Sequence, residues 1–254
     1  MKFLSHIINV LAFMTILPLS KDKRFTAEDF GRFPGLFPLV GLVIGFILVL
    51  FRFVFAAAGF SNFTSAILVV LILVILTRGF HLDGIADTFD ALLSHRSQDE
   101  KLNILKDPHQ GTFGVLAIVL DILLKVGLLA SLFEYPNYLP ALLLFPVWGR
   151  FSTSIVTILS NYARPSGGLG YYMVAFSGFK DFILAIILAV AISLLSGGLT
   201  CLLGAVVAIF LGFFLTFVWA KTLGGVTGDL LGATTELSEI TTLAFFQLFL
   251  HLSS

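Results

Sequence analysis

The sequence predicts an all-α, polytopic membrane bundle, and three observations predict it. Of 254 residues, 58% are hydrophobic and 12% charged, with a mean hydropathy of +1.03, whereas a soluble domain is about a quarter charged. Apolar runs close to the roughly 20 residues that cross a hydrocarbon core recur along the chain. The 15 basic and 15 acidic residues cancel and gather between those runs, so no bulk charge points to nucleic acid and only the placement of charge is informative. The lone Cys201 lies in an apolar run without a partner, which excludes a disulfide scaffold.

The elements follow in order. Phe3 to Leu19 is apolar but holds His6 and Asn9 and meets Pro18 near its end; it reads as an interfacial or partly buried helix rather than a signal peptide. Six or seven spans follow, at about 36–58, 63–79, 113–133, 139–160, 181–197, 199–220 and a short 240–253. Gly197-Gly198 leaves only a tight turn between the fifth and sixth. The 28 Phe and 23 Gly suit close helix packing in lipid. No repeat of 20–50 residues and no linker divides the chain, so 1–254 reads as one domain.

Thirteen of the fifteen Lys and Arg fall on one side: Lys2, Lys21, Lys23, Arg24, Arg32, Arg78, Arg96, Lys101, Lys106, Arg150, Arg164, Lys180 and Lys221, with Arg150 taken as the end of the fourth span. The positive-inside rule makes that side cytoplasmic. Connections on the opposite face, near 59–62, 134–138 and 197–198, are short and carry one charge, Glu134. Within the third span, Asp121 and Lys125 are four residues apart and can neutralise each other, as a buried structural pair or as the wall of a polar cavity.

The stretch RGFHLDGIADTFDALLS (78–94) sets Asp83, Asp87 and Asp90 at i, i+4 and i+7, one face of a helix. Three such carboxylates repel unless a cation lies between them, and oxygen ligands point to Mg²⁺ or Mn²⁺ rather than zinc. Gly84 admits a backbone or a phosphate. His81 is either a general acid/base or a donor that orients a ligand. In KTLGGVTGDLLGATTELSEI (221–240), glycines 224, 225, 228 and 232 surround Asp229, next to Thr227 and Gly228, and Glu236 follows on the same face; this suits a nucleotide phosphate or further metal ligands. Arg150, Arg164 in NYARPSGGLG (161–170), and Lys106 and His109 in LKDPHQGTFG (105–114) supply the basic complement. A cation site beside Arg and glycine-rich loops suits phosphoryl chemistry. The absence of Walker A, G-x-S-x-G and H-E-x-x-H sequences disfavours P-loop ATP hydrolysis, serine hydrolysis and zinc proteolysis.

These four blocks, with FPLVGLVIG at the start of the first span, stand in the order and spacing of the cobalamin synthase family, which the chain resembles over nearly its whole length. H-L-D-G-x-A-D-x-x-D with G-G-x-T-G-D-x-L-G-A is the specific part. The resemblance implies a multi-pass enzyme of the prokaryotic inner membrane, with its active site on the cytoplasmic side. It would use Mg²⁺ to join adenosylcobinamide-GDP to α-ribazole, or its 5′-phosphate, with release of GMP. It implies that Asp83, Asp87 and Asp90 hold metal and diphosphate, with Asp90 accepting the hydroxyl proton; that Asp229 is a further metal or nucleotide ligand; and that Arg150 and Arg164 bind phosphate. The family usually has Gly in place of Arg78 and Ala91, and Ser-Arg in place of Pro108-His109. The residues alone also admit a CDP-alcohol phosphatidyltransferase-like enzyme or a transporter, although the pattern lacks the former's Arg and fourth Asp and the latter's symmetric halves. Self-association is left open.

Overall fold

A computed structural model describes residues 2–19, 25–164 and 168–253. Among them run ten helices and no strand: α1 (Lys2–Met14), α2 (Ala27–Ala57), α3 (Asn62–Thr77), α4 (Phe80–Leu92), α5 (Gln98–Ile104), α6 (Thr112–Leu132), α7 (Leu139–Leu159), α8 (Leu169–Phe176), α9 (Phe179–Leu223) and α10 (Gly228–Ser253). Lys21, Lys23 and Arg24, counted above on the cytoplasmic side, lie outside the described residues, as do residues 165–167 of NYARPSGGLG.

Helix α1 packs Val10, Leu11, Ala12 and Met14 into the core. Its polar residues are matched too: His6 Nδ1 lies 2.9 Å and Asn9 Nδ2 3.2 Å from Asp29 Oδ1. Asp29 also closes the capping box with Thr26 that starts α2. The partly buried helix expected at the N-terminus is therefore present.

Helix α7 is the axis of the bundle. Nearly every side chain from Ala141 to Thr157 is buried, against α2, α9 and α10. Helix α9 breaks into two arms at Gly197 and Gly198, the latter at φ 65° and ψ −146°, a region open essentially to glycine. Its first arm sets Ser193 3.1 Å from Trp148 Nε1. Beyond the turn, Gly204 abuts Trp148, Ala208 accepts from Ser152 Oγ at 2.8 Å, and Gly212 abuts Ile155. Contacts therefore move back down α7 as the second arm proceeds, so α9 is a hairpin of two passes, the expected fifth and sixth spans.

Among the described residues, four helices are long and apolar enough to cross a membrane, or five with α3 and α4 as one bent span. The expected seventh span is different from the reading of 240–253: α10 begins at Gly228 and is not among those helices. It buries Thr234, Thr235, Glu236, Ser238, Glu239 and Thr242 against neighbouring helices rather than presenting them to lipid. Hydropathy registers only its apolar second half.

Arg150 also needs correction. It lies in the middle of α7 with no exposed surface, not at the end of a span. Its Nη1 donates to Glu239 Oε1 at 2.6 Å. Glu239 in turn meets Lys125 Nζ at 2.9 Å, and Lys125 also pairs with Asp121 at 3.2 Å and with Glu236. The Asp121–Lys125 pair is thus the buried structural kind, extended to two cations and three carboxylates inside the bundle, where each charge is tolerable only because it is paired.

Candidate active site

Helix α4 departs from α3 at 91°. Two successive left-handed residues make that corner, Arg78 (φ 57°) and Gly79 (φ 66°), so α4 lies across the end of the bundle rather than along it. Arg78 occupies a conformation that favours glycine, and its Nη2 donates to Phe13 carbonyl oxygen at 2.8 Å.

The acidic face of α4 meets α10 at Gly84. A Cβ there would sit 2.6 Å from the Asp229 carbonyl oxygen and 3.1 Å from Gly232 Cα. Backbone, not phosphate, occupies the space this glycine opens, and the crossing brings Asp83 and Asp87 beside Asp229. Burial, then the charges of Asp83 and Asp229, push the Asp87 carboxyl up to about 6, against a 3.0 Å hydrogen bond from Gln110 Nε2. Burial also raises Asp229, opposed by the Thr227 hydroxyl at 3.1 Å and by Arg164. Asp90 faces elsewhere: its oxygens accept from Gly111 N at 2.7 Å and Gly114 N at 2.9 Å. It satisfies amide groups at the start of α6 that the helix cannot.

A parallel bridge between Tyr162 and Val226 assembles the rest. Ala163 N donates to Val226 O at 2.8 Å and Val226 N to Asn161 O at 2.9 Å, which ties the Arg164 loop to the Thr227-Gly228-Asp229 turn. Asp83, Arg164, Gly228 and Asp229 consequently line one cavity of about 250 Å³ together with His81, Thr153 and Tyr162. A more open cavity of about 730 Å³ adjoins it, sharing Asp83, Phe13 and Phe80. Arg164 Nε is buried without a hydrogen-bond partner, while Nη2 reaches the Leu102 and Leu105 carbonyls at 3.4 and 3.5 Å.

His81 is 3% exposed. Burial first, then the Arg150 and Lys125 charges, hold its imidazole well below the usual histidine range. Its Nδ1 stands 3.9 Å from Glu236 Oε1, so His81 is the link between cavity and ion cluster. Glu236 and Arg150 belong to that cluster and do not line either cavity. Nor do Lys106 and His109; His109 is exposed and bonded to Asp107 at 2.7 Å. Sequence reasoning missed Gln110, Thr153 and Tyr162. Gln110 and Tyr162 each stand one or two residues from a residue that was singled out, whereas nothing marked Thr153.

Among the described residues, no three His, Cys, Asp or Glu side chains form a ready-made metal cage. Asp83, Asp87 and Asp229 do present crowded oxygen donors, and Mg²⁺ is characteristically held by one or two carboxylates, waters and substrate phosphate. The donor set fits that ion.

Fold and site together define a class: a polytopic helical membrane protein with an acidic cavity and one converging Arg at one end of its bundle. More particularly, the chain belongs to the cobalamin-5-phosphate synthase family, whose model matches residues 6–247. It is 35% identical over 249 residues to an adenosylcobinamide-GDP ribazoletransferase of Acetivibrio thermocellus, covering 98% of this chain and all of the relative. It is 35% identical over 243 residues to one of Clostridium acetobutylicum, covering 94% of each. A Thermoanaerobacter relative of the same name is 34% identical over 97% of this chain and 98% of its own length. No solved structure matches.

Proposed function

We propose that this chain is an adenosylcobinamide-GDP ribazoletransferase acting in cobalamin synthesis. The observation that carries the reading is the convergence of Asp83, Asp229 and Arg164 on one cavity, with Asp87 close enough to Asp83 and Asp229 to feel their charges, in a chain of this family. A ribose hydroxyl oxygen of α-ribazole, or of its 5′-phosphate, forms a bond to the phosphorus that carries the cobinamide side chain. The phosphorus–oxygen bond to GMP breaks, and GMP leaves with that oxygen.

Asp83 borders both cavities, and we assign it the hydroxyl proton; Asp90, with both oxygens engaged by backbone amides, is a positioning residue for the turn that carries Gln110. Arg164 neutralises charge on the transferring phosphate. Asp83, Asp87 and Asp229 would hold Mg²⁺, which supplies Lewis-acid stabilisation of phosphate charge when bound. The site lies on the basic, cytoplasmic side of the prokaryotic inner membrane in this reading, supported by Arg96, Lys101 and Lys106 in the connection after α4.

The test is GMP release by purified protein in detergent with Mg²⁺, adenosylcobinamide-GDP and α-ribazole. Mg²⁺-dependent release is expected; no release under any Mg²⁺ concentration overturns the assignment.

A further inference from the structure

The two cavities differ in size, enclosure and chemistry, and they share a wall. Phe13 of α1 and Phe80 of α4 stand edge to face at 5.8 Å between them, and Asp83 borders both. The smaller cavity, about 250 Å³, is the more enclosed. Its apolar side is made by Met14, Phe37, Met173 and Leu231, with Thr153 and Tyr162 also on the lining, and its charged groups, Asp83, Arg164 and Asp229, come from α4, the loop before α8 and the start of α10.

Resting on the activity proposed above, we propose that this smaller cavity is the subsite of α-ribazole. Its dimethylbenzimidazole base lies among Met14, Phe37 and Met173, and its ribose is held toward Asp83, Arg164 and Asp229. The larger cavity then receives adenosylcobinamide-GDP.

Three considerations favour this division. A corrinoid nucleotide is far larger than this enclosed cavity, whose volume of about 250 Å³ falls below the roughly 300–1,000 Å³ that holds drug-sized molecules, whereas the larger cavity is open and lets a bulky ligand extend beyond it. The guanine of the other substrate is also a bicyclic aromatic, but its edge is ringed with hydrogen-bond donors and acceptors that the Met14, Phe37 and Met173 side of this cavity would leave unpaired. Dimethylbenzimidazole presents methyl groups there instead. Finally, Asp83 on the shared wall is where a hydroxyl from one cavity meets a phosphate from the other, as an in-line transfer requires.

Met173 is the residue to vary, because it is 5% exposed yet contributes to the apolar wall. Met173→Phe, which fills the cavity, is expected to raise the KM for α-ribazole at least tenfold while the KM for adenosylcobinamide-GDP stays within twofold. Met173→Ala, which leaves space and so guards against a folding defect in the first variant, is expected to accept the riboside of a bulkier tricyclic base that the parent protein rejects. If the parent turns over but both KM values move together, or only the corrinoid's moves, or Met173→Ala leaves base preference unchanged, the subsite is wrong and the activity stands. If the parent releases no GMP at all, the activity itself falls and the subsite with it.

Discussion

Gly84 of α4 and Gly232 of α10 lie backbone to backbone: a Cβ on the first would stand 3.1 Å from Cα of the second, and the reverse distance is 3.3 Å. That contact sets the position of two carboxylates on one helix against a third on another, so it governs the chemistry without touching a substrate.

Gly84→Ala should therefore separate the helices and cost about 1–3 kcal/mol of stability, with turnover reduced about 100-fold because a shift near 1 Å at reacting groups has that effect. Gly127→Ala on α6, where an added Cβ meets nothing within 4 Å, should leave unfolding temperature equal or higher. Thermal unfolding in detergent and GMP release read the two effects.

Asp87 makes the metal-free protein less stable as pH rises. Its carboxyl titrates near 6, above the ordinary 3.8, because of burial and the charges of Asp83 and Asp229. Between about pH 4 and 6 the unfolded chain has lost a proton that the folded chain keeps, so stability from this group is greatest below that window and falls across it. In EDTA, the unfolding temperature should show this decline, and Asp87→Asn should flatten it while abolishing turnover. Undiminished activity of Asp87→Asn would remove it from the site.

Asp90→Ala should destabilise the protein by about 1–2 kcal/mol, the usual value of a lost helix cap, by freeing the amides of Gly111 and Gly114. Asp90→Asn keeps an acceptor oxygen and should recover part of both stability and activity. Complete inactivity of Asp90→Asn with unchanged unfolding would instead restore Asp90 as the proton acceptor.

Lys125→Met leaves Arg150 alone against Asp121, Glu236 and Glu239. Loss of one partner from a buried charge group costs about 3–5 kcal/mol. Adding Glu236→Gln returns the group to a single excess negative charge and should recover a measurable part of the loss in the same unfolding assay; strict additivity of the two losses would refute the coupling.

The membrane class and the acidic face of α4 were legible because lipid and helical periodicity each impose a pattern on neighbouring residues. Gly197-Gly198 was legible for the same reason: a sharp reversal needs backbone freedom at one place in the chain. What escaped depends on distant partners. Spacing put Asp90 on the face of Asp83 and Asp87, but only the Gly111 and Gly114 amides, more than twenty residues away, show that it caps a helix. Arg150 read as a basic anchor because its compensating Glu239 is 89 residues further on. The polar half of α10 read as helical at Asp229 and Glu236 but not as one buried helix with 240–253, since what buries it is the surrounding bundle.

The ion cluster also dictates an order of events during synthesis. Lys125 leaves the ribosome 111 residues ahead of Glu236, and at that stage its only partner is Asp121, one turn back on the same helix. That pair allows α6 to enter the bilayer already self-neutralised, before any of α10 exists. Helix α10, made later than α6, carries Glu236, Glu239 and Asp229 together, so the same helix that completes the ion cluster also completes the acidic cavity.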